Sequence, residues 1–159
     1  MFSCASTGEP LGDNRGMGLL SPQDEATLKQ HLSTITLPVQ LVLFTQTIGG
    51  SESGTVTKQI LSEIATLNDK ISVVDKSFVL DTEDKAKYHV DKAPAIVILS
   101  DGVDTRMRLY GAPTGYEFVG LVEAIIVAGT GKIDLDPETM GWIQAIDKPM
   151  HIQVFSTPT

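Results

Sequence analysis

At 159 residues, the chain has room for one ordinary domain and not for two complete ones. Hydrophobic residues at 42% and charged residues at 20% are globular proportions, and the longest uninterrupted apolar strings, such as Ala95–Leu99, fall far short of the roughly 20 residues a membrane span needs. A net charge of −8, with twelve scattered Lys and Arg, gives a phosphate backbone no basic stripe to meet, which argues against nucleic-acid binding. A single cysteine, Cys4, excludes an internal disulfide framework and a Cys-rich metal site, and it fits a reducing, cytoplasmic setting.

Residues 1–20 are Gly-rich and lack hydrophobic periodicity, so they are expected to form a disordered tail, with Met17 a second candidate start. Ser21-Pro22-Gln23-Asp24 reads as a helix cap with proline at the first helical position, and Leu28, Leu32 and Ile35 follow at helical spacing over about 22–34. Val39–Phe44 is a near-continuous apolar run, the pattern of a strand buried on both faces. After a loop over 47–50, Val56, Ile60, Leu61, Ile64 and Leu67 fall on one helical face, with Ser51 the expected N-cap. Ile71–Leu80 reads as a second strand and Glu83–Tyr88 as a short helix ending before Pro94.

Ala95–Leu99 is a third, buried strand, turning at Ser100-Asp101-Gly102 into an antiparallel partner over Thr105–Tyr110, where Arg106 and Arg108 alternate with Met107 and Leu109. A last helix is expected over Thr114–Ala128, with Thr114 as its cap, Phe118, Leu121, Val122, Ile125 and Ile126 facing inward, and Gly129 as its stop. The order β-α-β-α-β-β-α is that of a thioredoxin-like fold, an α/β (α+β) architecture with a central mixed sheet flanked by helices.

Three strings carry a family resemblance: Ser51-Glu52-Ser53-Gly54 at the start of the helix after the first strand, Lys92-Ala93-Pro94-Ala95 before the third, and Gly111-Ala112-Pro113-Thr114-Gly115-Tyr116-Glu117-Phe118 before the last helix. From about Ala26 to Thr159 the chain resembles the first half of the tandem thioredoxin-fold modules of glutaredoxin-like protein disulfide oxidoreductases. It is similar in the same way to the N-terminal region of the alkyl hydroperoxide reductase flavoprotein subunit. Tyr116 stands where that pattern usually has His.

The resemblance implies a redox Cys-x-x-Cys at Ser51 and Gly54, so Ser51, Glu52, Ser53 and Gly54 read as vestigial redox-loop positions. Thiol–disulfide exchange needs a thiolate and a resolving thiol, and neither is present. No catalytic residue is therefore assigned, and a nucleophilic Ser51 has no His nearby in sequence to activate it. The resemblance also implies a cis proline at Pro94 and, with Ala93, a peptide-docking edge. His31, His89 and His151 lie far apart without metal-ligand spacing, Gly129-Thr130-Gly131-Lys132 lacks the residues of a phosphate loop, and no cofactor or metal is expected.

A second copy of the pattern begins near Asp136. Leu37–Thr45 and Lys148–Ser156 correspond at a constant offset, pairing Pro38 with Pro149 and Phe44 with Phe155, and Leu32 and Ile35 correspond to Ile143 and Ile146. The expected organisation is a tail over 1–20, a thioredoxin-like domain over 21–131 and, over 132–159, the first helix and strand of a second unit, truncated before its redox loop. Trp142 is then expected at the interface between the copies. The function expected is a redox-inert half of a disulfide oxidoreductase or peroxiredoxin-reductase module, inactive by itself, with a peroxiredoxin or protein-disulfide partner in the full-length form. The alternative is a stand-alone binding or dimerisation module, in which the apolar strand around Ile152 drives homodimer formation.

Overall fold

The computed structural model describes residues 21–46 and 52–156. The expected tail over 1–20, the cap at Ser51 and the last three residues lie outside them. Nine elements follow in order: α1 (Pro22–Leu32), β1 (Val39–Thr45), α2 (Glu52–Thr66), β2 (Ile71–Ser77), α3 (Thr82–Lys87), β3 (Ala95–Ser100), β4 (Val103–Tyr110), α4 (Tyr116–Thr130) and α5 (Pro137–Gln144). One sheet has the strand order β2-β1-β3-β4, with β1 and β2 parallel and the other two pairs antiparallel.

Strand alternation divides the core into two layers. Leu41 and Leu43 of β1, with Ile96 and Ile98 of β3, face Leu28 and Leu32 of α1, Ile60, Leu61 and Ile64 of α2, and Leu121 and Ile125 of α4. Val42, Phe44, Val97 and Leu99 point to the other face, where Tyr88 and Val90, just after α3, cover them. Phe44 and Tyr88 meet edge to face at 6.4 Å. Arg108 holds this second layer shut, donating from Nε to the Tyr88 carbonyl at 2.9 Å and forking onto both Asp104 oxygens at 2.9 and 2.6 Å.

Several boundaries differ from the sequence reading. The second strand stops at Ser77, because the chain turns there and leaves Val79 and Leu80 exposed. Asp101 and Gly102, at φ 48° and 76°, make a two-residue turn that lengthens β4 back to Val103. Arg106 does not alternate simply with Met107. Its φ of 65° belongs to a bulge in β4, where its N–H donates to Asp104.

Thr114 is not the cap of α4; Gly115 precedes the helix instead, at φ 58°. Gly129 does not stop the helix either. It lies within α4, and a Cβ there would come within 2.6 Å of Ile35, so the glycine lets the α1–β1 connection approach. The stop is Gly131, left-handed at φ 64°, with its N–H bonded to the Val127 carbonyl. The freed Gly129 carbonyl accepts from the Thr36 and Leu37 amides at 2.9 and 2.8 Å, joining the helix end to the α1–β1 connection.

Beyond Gly131 the expected helix forms as α5, capped by Asp136, whose carboxylate accepts from the Thr139 N–H and hydroxyl. The expected opening strand does not form. Residues 148–156 belong to no helix or strand, and Ile152, Val154 and Phe155 are almost fully exposed, because a strand needs a ladder partner and a covered face. Trp142, expected at an interface, is 65% exposed.

Two outcomes test this packing. Gly129→Ala should lower the unfolding free energy by about 1–3 kcal/mol through overpacking against Ile35, read as a lower urea midpoint at unchanged m-value. The Arg108 hydrogen bonds hold the Asp104 carboxyl below the usual carboxylate range, with desolvation opposing them. A depressed folded pKa gives stability that is present above the unfolded value and lost as pH falls through the folded one. The stability gap between wild type and Asp104→Asn should therefore be widest at neutral pH and narrow below about pH 4 in urea titrations.

Candidate functional site

The first turn of α2, the end of β1 and the approach to β3 converge on one cavity of about 150 Å³. Thr45 and Gln46 come from β1 and its exit, Gly54, Thr55 and Lys58 from α2, and Ala93 and Pro94 from the segment before β3. Three of the residues singled out in the sequence, Gly54, Ala93 and Pro94, thus meet at one place. Glu52 and Ser53 stand in the first turn of α2 but do not line the cavity, and Ser51 is outside the described residues.

Gly54 is buried against Thr45, and a Cβ at that position would lie 3.6 Å from Thr45 Cγ2, an ordinary contact. A β-carbon fits there without moving the strand. The Ala93–Pro94 peptide is cis. At the rim, Lys58 Nζ is 2.5 Å from Asp75 Oδ2 of β2, an exposed pair that solvent screens.

A buried hydrogen-bonded chain holds this geometry. The Gly111 N–H donates to the Pro94 carbonyl at 3.0 Å. Thr57, fully buried, directs its hydroxyl at the Ser53 carbonyl at 2.7 Å, with the Gly111 carbonyl at 3.4 Å. The Gly111–Gly115 string is therefore pinned between α2 and Pro94. Its terminal glycines are required by φ of 91° and 58°, which accounts for the motif without catalysis. Beside it, burial and then the Asp91 hydrogen bond push the Tyr110 phenol above its usual range, so it stays a neutral donor to that carboxylate.

Thr57 and Lys58 were missed by sequence reasoning. The only available signal was a polar residue one position from Val56 on a helix whose neighbouring inward positions are apolar. Among the described residues no three His, Cys, Asp or Glu side chains gather as a metal site, and no helix is long and apolar enough to cross a membrane.

No family model matches the sequence. The alkyl hydroperoxide reductase protein AhpF of Escherichia coli K12 is 30% identical over 112 residues, covering 70% of this chain and 19% of that protein. The crystallised NTD_N/C domain of AhpF from Enterococcus faecalis superposes with a TM-score of 0.73 at 24% identity, over 81% of this chain and 62% of that one. Homology to the N-terminal domain of AhpF is thereby established. A protein disulfide oxidoreductase from Aeropyrum pernix shares the fold, with a TM-score of 0.68 at 19% identity over 79% of this chain and 54% of that one.

The chain spans about a fifth to a quarter of the AhpF proteins it matches. It is a thioredoxin-like module related to thiol oxidoreductases, without a thiol at either position that resemblance assigns to the redox pair. The Thr57 tie makes a direct prediction. Thr57→Val, which keeps the shape and removes the hydroxyl, should cost about 1 kcal/mol in urea unfolding. It should also speed hydrogen exchange at the Gly111 amide, whereas unchanged exchange there would remove Thr57 from the account.

Proposed function

We propose that this chain is the redox-inert, thioredoxin-like half of a thiol–disulfide oxidoreductase module, serving to support and position a cysteine-bearing half in a peroxiredoxin-reductase system. One observation supports the reading: Gly54, Ala93 and Pro94 meet at one cavity, while the positions that the resemblance gives to a thiol pair are Ser51 and Gly54. Gly54, Ala93 and Pro94 share a cavity, and Thr57 and Gly111 lock that cavity's walls. A frame maintained by a buried polar chain without the chemistry it once enclosed fits a structural role in a larger assembly. Similarity to AhpF, named for alkyl hydroperoxide reduction, supports the choice of system.

The cavity itself favours a second, weaker reading, in which the Ala93–Pro94 edge still receives an extended peptide from a disulfide-bearing or peroxiredoxin partner by strand addition. Lys58 at the rim would meet such a peptide's acidic groups or its terminal carboxylate, after parting from Asp75.

Insulin reduction driven by dithiothreitol tests the main reading. The native chain should run at the uncatalysed background. Ser51→Cys combined with Gly54→Cys should gain turnover, because α2 begins here and a Cβ at 54 meets only ordinary contacts. Turnover by the native chain would overturn the inert assignment, and a doubly substituted chain that folds but stays at background would overturn the claim of an intact frame.

A further inference from the structure

The two faces of the sheet are covered unequally. Helices α1, α2 and α4 cover one face, whereas the other is covered by Tyr88 and Val90 with Phe78 beside them. In the segment from α3 to Ala93, residues 82–93, Tyr88 and Val90 are the buried side chains, and α3 itself buries none. The polar ties from this segment to its base run through charged groups. Lys76 Nζ meets Asp84 at 2.7 Å, Lys85 Nζ lies 4.6 Å over the Phe78 ring, Arg108 Nε donates to the Tyr88 carbonyl, and the Tyr110 phenol donates to Asp91. Partly exposed charge pairs of this kind hold weakly and are screened by salt.

The segment is fixed at both ends. At its foot the Asp81 N–H donates to the Ser77 carbonyl at 2.9 Å and the Asp81 carboxylate accepts from the Ser77 N–H, while beyond Ala93 the Gly111 N–H holds the Pro94 carbonyl. Between these points α3 ends in a tight reversal. The Val90 N–H donates to the Lys85 carbonyl, the His89 N–H to that of Ala86, and His89 is left-handed at φ 52°. This reversal turns Tyr88 and Val90, on either side of His89, onto the sheet. Glycine is the usual residue at such a position, so histidine stores backbone strain that opening relieves. Ala93, at the other end of the segment, is also a wall of the cavity by Gly54.

We propose that residues 82–93 form a strap that lifts from the sheet as one unit while β1, β3 and the three-helix layer stay folded, drawing Ala93 away from the cavity. Few buried apolar groups and weak charged ties make this the part of the fold that opens at least cost. The cavity keeps all its walls only while the strap is closed, so anything that binds there in turn stabilises the closed strap. The proposal does not depend on the redox-inert reading.

Native-state hydrogen exchange in low urea, on the full chain under reductant, provides the test. The amides of Lys85, Tyr88, His89 and Val90, hydrogen-bonded in and at the foot of the strap, should share one opening free energy and one urea slope. Both should be smaller than those of Leu41–Leu43 in β1, and added salt should weaken protection in the strap alone. Arg108→Met, which removes a charge-assisted hydrogen bond, should cut strap protection about tenfold relative to β1. His89→Gly should raise it about fivefold by relieving the left-handed strain. In a Cys4→Ser background, the thiol introduced by Gly54→Cys should react with a disulfide reagent larger than the cavity, faster with Arg108→Met added and slower with His89→Gly. Three results would overturn the proposal: strap amides that open only together with β1, strap amides that each exchange at their own rate without a urea slope, or a thiol at 54 whose labelling ignores both variants. The second would reduce the opening to fraying of α3, and the third would separate the cavity from the strap.

Discussion

Burial of β1 on both faces is the constraint on which the rest of the molecule depends. Val39, Leu41, Leu43 and Phe44 are fully buried, so each residue of the strand needs cover from above or below and a ladder partner on both sides. β2 and β3 supply the ladders, α1, α2 and α4 supply one cover, and the chain around α3 supplies the other. The helix order follows from that demand, because a strand with two apolar faces is stable only inside a three-layer arrangement.

A second set of constraints is polar and local. The carbonyl of Gly129 takes two amides from the α1–β1 connection, and the Ser100 hydroxyl donates to the Ala128 carbonyl at 2.6 Å, so the end of α4 is satisfied by the strands beneath it. At the opposite end of the sheet, Thr57, Gly111 and Pro94 do the same for α2 and the loop before α4. Pro94, in the wall of the cavity by Gly54, is therefore held by a hydrogen bond made within the fold. These hydrogen bonds also hold the sheet and helices together, so the surroundings of the cavity are fixed by the fold itself.

The residues that sequence reading recognised were those with strong local signals. Val39–Phe44 and Ala95–Leu99 are apolar runs too dense for any exposed element, and Ser21-Pro22 is a cap with a fixed mechanism. Errors arose where one residue type serves two purposes. Glycine ends helices and also allows close packing, and only the position of Ile35 distinguishes Gly129 from Gly131. Arg106 and Arg108 alternate on paper, yet the bulge separates them, since Asp104 captures the Arg106 amide as well as the Arg108 side chain. Thr57 was invisible because a buried threonine looks like a surface one until its acceptors are placed.

The arm after Gly131 shows the same division most plainly. Its sequence repeats that of α1 and β1, and the capped helix forms from local signals alone. The strand does not, because hydrogen bonds in a strand come from a neighbour and not from within the segment. By itself, then, the sequence determined the element order, the central strands, the Ser21 cap of α1 and the lack of a second cysteine, all of which rest on local pattern and residue chemistry. Only the tertiary structure decided which glycine packs and which one stops a helix, which polar groups wall the cavity, and which strand-like segment becomes a strand, because each depends on partners remote in the chain.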